Sequence, residues 1–126
     1  MSSSEHVELT GLVILQSARN LHETGRLISD RLLGGVPFSG EIPGLRDEVP
    51  ALVLTREVLG LTMVLHGGEY EGGHRLTLEI HGADSERVPS GVEPALIDVG
   101  QWAAQLISRV EGIQVVTHSS FRRMDS

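Results

Sequence analysis

The stretch HGGEYEGGH, from His66 to His74, holds two histidines and two glutamates, Glu69 and Glu71, close together in the chain. Imidazole and carboxylate groups are the ligand types that zinc and other divalent ions accept in proteins. The spacing of these four residues matches no standard zinc motif. The sequence therefore predicts an acidic loop tip at this point, with no metal and no cofactor.

A second group of polar residues, His66, Arg75, Glu79 and His81, belongs to the same part of the chain. Glu79 and His81 stand two positions apart, which places them on one face of a strand. A His–Glu pair of this kind could act as a general base with its orienting group. The nearby threonines are weak nucleophiles, and cross-strand pairing on a solvated sheet explains the same residues. A small enzyme that uses His66, Glu79 and His81 is therefore the alternative hypothesis.

These residues lie on a predicted hairpin, because apolar and polar residues alternate on both sides of a glycine-rich loop between Leu61 and Gly82. Such alternation is typical of a half-buried antiparallel pair of strands. The apolar face consists of Leu61, Met63, Leu65, Leu76, Leu78 and Ile80.

The register that we predict pairs Leu65 with Leu76 and keeps the apolar residues together. It places His66 opposite Arg75, and it puts His66 and His74 on opposite faces of the sheet. This separation of the two histidines argues against a shared metal site.

The N-terminal part of the chain predicts a strand from Val7 to Leu15, followed by a helix. Asn20 and Glu23 form a capping-box pattern, which begins the helix after Asn20, and Gly34 with Gly35 ends it. The alternative is one long helix from about Gly11. The residues 36–50 contain three prolines and no regular pattern, so we predict a long irregular crossover.

The apolar run from Ala51 to Thr55 predicts a further strand, with a short helix over 50–59 as the alternative. A second helix begins at Pro94, or alternatively at Asp98, where Gln101 completes a capping pair. Its apolar stripe consists of Leu96, Val99, Ala103, Leu106 and Val110. Gly112 ends this helix, and a last strand follows over 113–117.

The order of elements is β-α-β-β-β-α-β. It predicts an α+β domain over 1–126, with a single mostly antiparallel sheet of 4–5 strands and two helices on one face. The other sheet face would meet solvent or a partner. Residues 1–6 and 119–126 are predicted to be frayed tails. Trp102 is expected to pack in the core, or alternatively to anchor an interface.

The composition excludes several classes of function. The 126 residues contain no cysteine and carry a net charge of −7, and every basic side chain is an arginine. Thiol chemistry and lysine Schiff bases are therefore absent, and the negative field repels nucleic acid. No apolar run approaches the ~18 residues of a membrane helix. With no secretory signal at the N-terminus, we expect a cytoplasmic protein.

These features favour a non-enzymatic acidic protein that binds another, basic protein. In size, acidity and layout the chain is similar to small bacterial immunity proteins and to secretion chaperones. This likeness implies an inhibitor of a basic toxin or effector, with a chaperone or a structural homodimer as alternatives. The predicted partner-binding residues are Glu41, Asp47, Glu48, His66, Glu69, Glu71, Arg75, Glu79 and His81.

Overall fold

The structure, a computed structural model, describes residues 7–46, 49–82 and 95–119. The strands are β1 (Val7–Ser17), β2 (Ala51–Val53), β3 (Leu61–Tyr70), β4 (Gly73–Gly82), β5 (Ala95–Asp98) and β6 (Ile113–Ser119). The helices are α1 (Leu21–Leu32) and α2 (Gly100–Ile107). The predicted α+β class is confirmed, with six strands instead of four or five. The predicted tails at 1–6 and 120–126 lie outside the described residues, and Ser119 ends β6.

The boundary between β1 and α1 is the predicted capping box. The Asn20 Oδ1 accepts a hydrogen bond from the Glu23 backbone N–H at 2.8 Å. The Glu23 carboxylate accepts one from the Asn20 backbone N–H at 3.2 Å. Because these bonds satisfy N–H groups that the first turn leaves unpaired, the helix begins here. The alternative of one long helix from Gly11 is wrong.

The sheet has the order β2-β3-β4-β1, and β5 and β6 both pair with the far side of β1. β5 runs parallel to residues 7–10 of β1, and β6 runs antiparallel to residues 12–17. All other strand pairs are antiparallel, so the sheet is mixed.

The sequence did not predict β5, because its residues fall at helical spacing with α2. Pairing with β1 provides hydrogen bonds for the backbone of 95–98, and these override the weak local preference for a helix. The start at Pro94 is therefore wrong, and α2 begins at Gly100. The N-cap residue is Val99 and not Asp98, so the predicted capping pair of Asp98 with Gln101 does not form. The Asp98 side chain accepts a hydrogen bond from the Gly100 N–H at 2.8 Å just before the helix. Gln101 lies in the first turn of α2.

The register of the hairpin differs by two residues from the predicted one. Leu65 pairs with Leu78, and His66 pairs with Thr77. Both registers keep the apolar residues on one face, so the alternation alone could not separate them. The tight turn at Glu71 and Gly72, whose φ angles are 47° and 82°, fixes the observed register.

The strands therefore extend almost to the tip of the hairpin, to Tyr70 on β3 and from Gly73 on β4. The predicted separation of His66 and His74 onto opposite faces is confirmed. His66 shares a face with its partner Thr77, and His74 lies three residues before Thr77 on the same strand, which places it on the other face.

One face of the sheet and the two helices form the core. α1 contacts β3, and α2 contacts β1 and β6. The buried sheet residues of this face include Val13, Leu15, Leu52, Met63, Leu65, Leu76, Leu78 and Ile80. The helices add Ile28, Ala103 and Ile107, so the core is aliphatic as the composition predicts.

The crossover between α1 and β2 runs beside β2 as an irregular extension of the sheet. The Ser39 N–H donates to the Val53 carbonyl at 2.7 Å, and the Ile42 N–H donates to the Ala51 carbonyl at 2.9 Å. A helix over 50–59 is wrong, because 51–53 form β2. No helix in the described ranges is long and apolar enough to cross a membrane.

Candidate functional site

Glu79 is a buried carboxylate on the sheet face that points away from the helices. Its neighbours on the adjacent strands are Val64 of β3 and Leu12 of β1, and both are buried. Glu79 itself is 2% exposed. Burial of a charged carboxylate between apolar side chains is costly unless cations and hydrogen-bond donors compensate for the lost water.

Arg46, from the crossover, supplies the main compensation. Its Nε donates to Glu79 Oε2 at 2.7 Å, and its Nη2 donates to Oε1 at 2.5 Å. This bidentate geometry is the strongest pairing available to a carboxylate. The Arg46 guanidinium therefore lies across the sheet face and attaches the crossover to β4.

Two histidines complete the surroundings of Glu79. The His81 Nε2 lies 3.0 Å from Oε1 in a hydrogen bond. The His66 Nε2 lies 2.7 Å from Oε2 in a close polar contact, but it is not aligned for a hydrogen bond. We call Arg46, His66, Glu79 and His81 the Glu79 cluster.

The electrostatics of the Glu79 cluster keep its carboxyl ionised. Burial acts to raise the pKa of Glu79, but the contacts from Arg46, His66 and His81 more than offset this effect. The pKa of Glu79 therefore lies well below its usual range. A carboxylate with such a low pKa is a poor general acid or base near neutral pH, because an effective one has a pKa close to the working pH.

The sheet face that carries the Glu79 cluster is buried at its centre, where Thr10, Leu12, Val64 and Glu79 lie. His66 and His81 on the same face are partly exposed, so contact of this face with solvent or a partner stays a prediction. Arg46 is not among the site residues predicted from the sequence. An acidic residue between apolar cross-strand neighbours was the sequence signal from which a cationic partner could have been inferred.

The described residues contain no group of three or more histidine, aspartate or glutamate side chains that could hold a metal ion. In the HGGEYEGGH stretch, the two histidines lie on opposite faces of the sheet. In the Glu79 cluster, Arg46 already binds the only carboxylate, which a metal ion would need as a ligand.

The tip of the hairpin presents a different set of groups. Glu69, Tyr70 and Glu71 are exposed. The Arg75 guanidinium lies 4.3 Å from the centre of the Tyr70 ring, a cation–π contact. The Arg75 Nε also donates to Gln16 Oε1 of β1 at 2.9 Å, so Arg75 belongs to this tip and not to the Glu79 cluster.

An open groove of about 450 Å³ borders the hairpin tip. It lies between the turn, the end of β1 and the beginning of β6. Its lining residues are Gln16, Ser17, Ala18, Glu71, Gly72, Gly73, Gly112, Ile113 and Gln114. Glu71 is the only charged side chain among these lining residues, and the Arg19 guanidinium lies beside the groove, against the backbone of Glu111 and Gly112.

The remaining predicted site residues lie in the crossover. The Glu41 carboxylate pairs with His22 Nε2 of α1 at 2.9 Å, and both side chains are about half exposed. Asp47 and Glu48 lie outside the described residues. The structure thus groups Glu69, Glu71 and Arg75 at the tip, groups His66, Glu79 and His81 under Arg46, and places Glu41 against α1.

Trp102 of α2 is 47% exposed, so the predicted packing in the core is wrong. It lies on the rim of a small apolar cleft between the helices, where Leu32 of α1 and Leu106 of α2 also contribute.

No protein-family model, curated protein or solved structure matches this chain.

Proposed function

We propose that this chain is an acidic protein-binding protein, and that the hairpin tip is the surface that receives a basic protein partner. The observation that carries the proposal is the exposure of Glu69, Tyr70 and Glu71 beside the open groove. A toxin or effector that the chain inhibits is the kind of partner that we infer, and the shared compartment would be the cytoplasm.

The contacts within the tip support this proposal. A two-residue turn closes the hairpin, and the Tyr70 ring is held against Arg75. Side chains that are fixed before binding lose little conformational entropy when the complex forms. Tyrosine is also among the residues that most often dominate the energy of an interface.

The overall charge supports the same kind of partner. A net charge of −7 attracts a basic protein over long range and raises the rate of encounter. Exposed carboxylates on the tip would then direct the partner toward the groove.

The enzyme alternative has less support. Glu79 carries a low pKa and a bidentate arginine, which suits an anchor for the crossover better than an acid–base group. A structural homodimer has one supporting observation, the half-exposed Trp102 beside the cleft between α1 and α2. Nothing specific in the structure favours a secretion chaperone.

The test first isolates a basic protein by co-purification with the wild-type chain, and then compares the rates at which this protein associates with the wild type and with variants. The double variant Glu69→Arg/Glu71→Arg should associate about tenfold or more slowly at low salt. The association rate of this variant should also depend less on salt concentration, because the substitutions remove the electrostatic attraction at the contact.

The matched control is Asp30→Arg/Glu57→Arg, which changes the net charge equally at exposed positions away from the tip. Its association rate should stay much closer to that of the wild type. Equal slowing in both variants would show that only the total charge matters, and an unchanged rate in the tip variant would reject the tip as the interface.

A further inference from the structure

A separate cleft of about 350 Å³ lies between α1 and the segment that follows it. The partly buried Phe38 gives the cleft an apolar floor, and Leu52 of β2 lies buried beneath it. One wall is the face of α1 that carries His22, Arg26 and Asp30, and the other is formed by Gly35, Pro37 and Ser39. The volume falls within the range of small-molecule sites, and the lining of this cleft mixes polar and apolar side chains.

Most polar side chains of this cleft already have partners. The Ser29 hydroxyl donates to the Val36 carbonyl at 2.5 Å, and the Ser39 hydroxyl donates to the Gly40 carbonyl at 2.7 Å. His22 is paired with Glu41 at 2.9 Å. These groups therefore shape the cleft and leave little capacity for a ligand.

Arg26 and Asp30 are the exceptions. Both are exposed, and neither makes an ion pair or a side-chain hydrogen bond within the part of the chain that the structure describes. They stand one helical turn apart, close enough to meet, but an acid placed C-terminal to its base is the less favourable order for such a pair. A cation and an anion thus remain available side by side above an apolar floor.

We propose that this cleft binds a small zwitterion with an apolar side chain, the chemistry of a free α-amino acid. The Arg26 guanidinium would receive the carboxylate, the Asp30 carboxylate would receive the ammonium group, and the apolar side chain of the ligand would lie on Phe38. This site is distinct from the hairpin tip and does not depend on the proposed partner.

The experiment titrates the ¹⁵N-labelled full chain with L-leucine and follows backbone amide shifts. Saturable shifts are expected at residues that line the cleft, among them Gly35 and Ser39. 4-Methylpentanoate, which lacks the ammonium group, and 3-methylbutylamine, which lacks the carboxylate, should each bind more weakly than L-leucine.

Arg26→Gln and Asp30→Asn should each weaken L-leucine binding by about two- to fivefold, the effect of losing one exposed ion pair. Arg31→Gln is the matched control, because Arg31 is an exposed arginine of the same helix that does not line the cleft. It should leave the affinity unchanged.

Two results would overturn the proposal. The first is the absence of saturable shifts at the cleft with millimolar L-leucine. The second is equal binding of L-leucine and 4-methylpentanoate, which would identify a site for simple carboxylates. All three variants change exposed side chains, and unchanged melting curves would confirm that they remain folded.

Discussion

Arg46 and Glu79 lie 33 residues apart in the chain, and two hydrogen bonds of 2.7 and 2.5 Å join the guanidinium to the carboxylate. The pair attaches an irregular crossover to the central strand β4. It does so on the sheet face that carries no helix, so this face has a charged centre between buried apolar residues.

Loss of Arg46 should destabilise the fold. Arg46→Met leaves the Glu79 carboxylate buried without its bidentate partner, and we expect the free energy of unfolding to fall by about 2 to 4 kcal/mol. Urea denaturation near neutral pH measures this change. A loss of less than about 0.5 kcal/mol, the range of an ordinary surface substitution, would show that the two histidines are sufficient partners.

Removal of both charges should lower the free energy of unfolding much less than removal of one. In Arg46→Met/Glu79→Leu, a leucine lies between Val64 and Leu12, where an apolar side chain is well accommodated. We expect a stability within about 1 kcal/mol of the wild type, because replacing a buried pair by packed apolar groups is often neutral. A double variant less stable than Arg46→Met would contradict this account of the pair.

The low pKa of Glu79 also predicts a dependence of stability on pH. The unfolded chain protonates this carboxyl near its ordinary value of 4.5, whereas the folded protein does so only at lower pH. The contribution of Glu79 is therefore fully present above that value and is lost as the pH falls below it.

Urea denaturation between about pH 5 and about pH 3 should accordingly show a smaller loss of stability in Glu79→Gln than in the wild type. The comparison concerns the slope with pH, so a lower absolute stability of the variant does not affect it. Parallel slopes would mean that the pKa of Glu79 is the same in the folded and unfolded states.

Two adjacent glycines of β3 should respond differently to alanine. Gly67 has a φ of 142°, and a Cβ atom there would meet the Arg75 backbone oxygen and lie 2.8 Å from the Leu76 Cα. Gly67→Ala should therefore lower the free energy of unfolding by about 2 to 4 kcal/mol, because of backbone strain and steric overlap.

Gly68→Ala is the control, since a Cβ at that position meets nothing within 4 Å. Its unfolding free energy should stay within about 0.5 kcal/mol of the wild type. Similar losses for both variants in urea denaturation would contradict the described backbone of this strand.

Local signals in the sequence predicted much of the fold. The capping box at Asn20 and Glu23 marked the start of α1, and strict alternation marked β3 and β4. The register of the hairpin could not be derived in the same way, because every shift by an even number of residues preserves the apolar face. Only the left-handed turn at Glu71 and Gly72 distinguishes the registers.

The candidate sites were harder to predict, because they depend on contacts between distant residues. No periodicity connects Arg46, in an irregular segment, with Glu79 in β4. β5 was missed for a similar reason, since its short run is defined by pairing with β1. The exposure of the hairpin tip, by contrast, followed from its glycines and acids.

The most direct test of the proposed function is hydrogen exchange of the backbone amides in the free chain and in its complex with the co-purifying basic protein. We predict slower exchange in the complex over residues 68–73 and 112–114, which form the tip and the walls of the groove. The turn at 55–60, which precedes β3 at its other end, should exchange at the same rate in both states. Protection confined to α1 and α2, with none at the hairpin tip, would contradict the account.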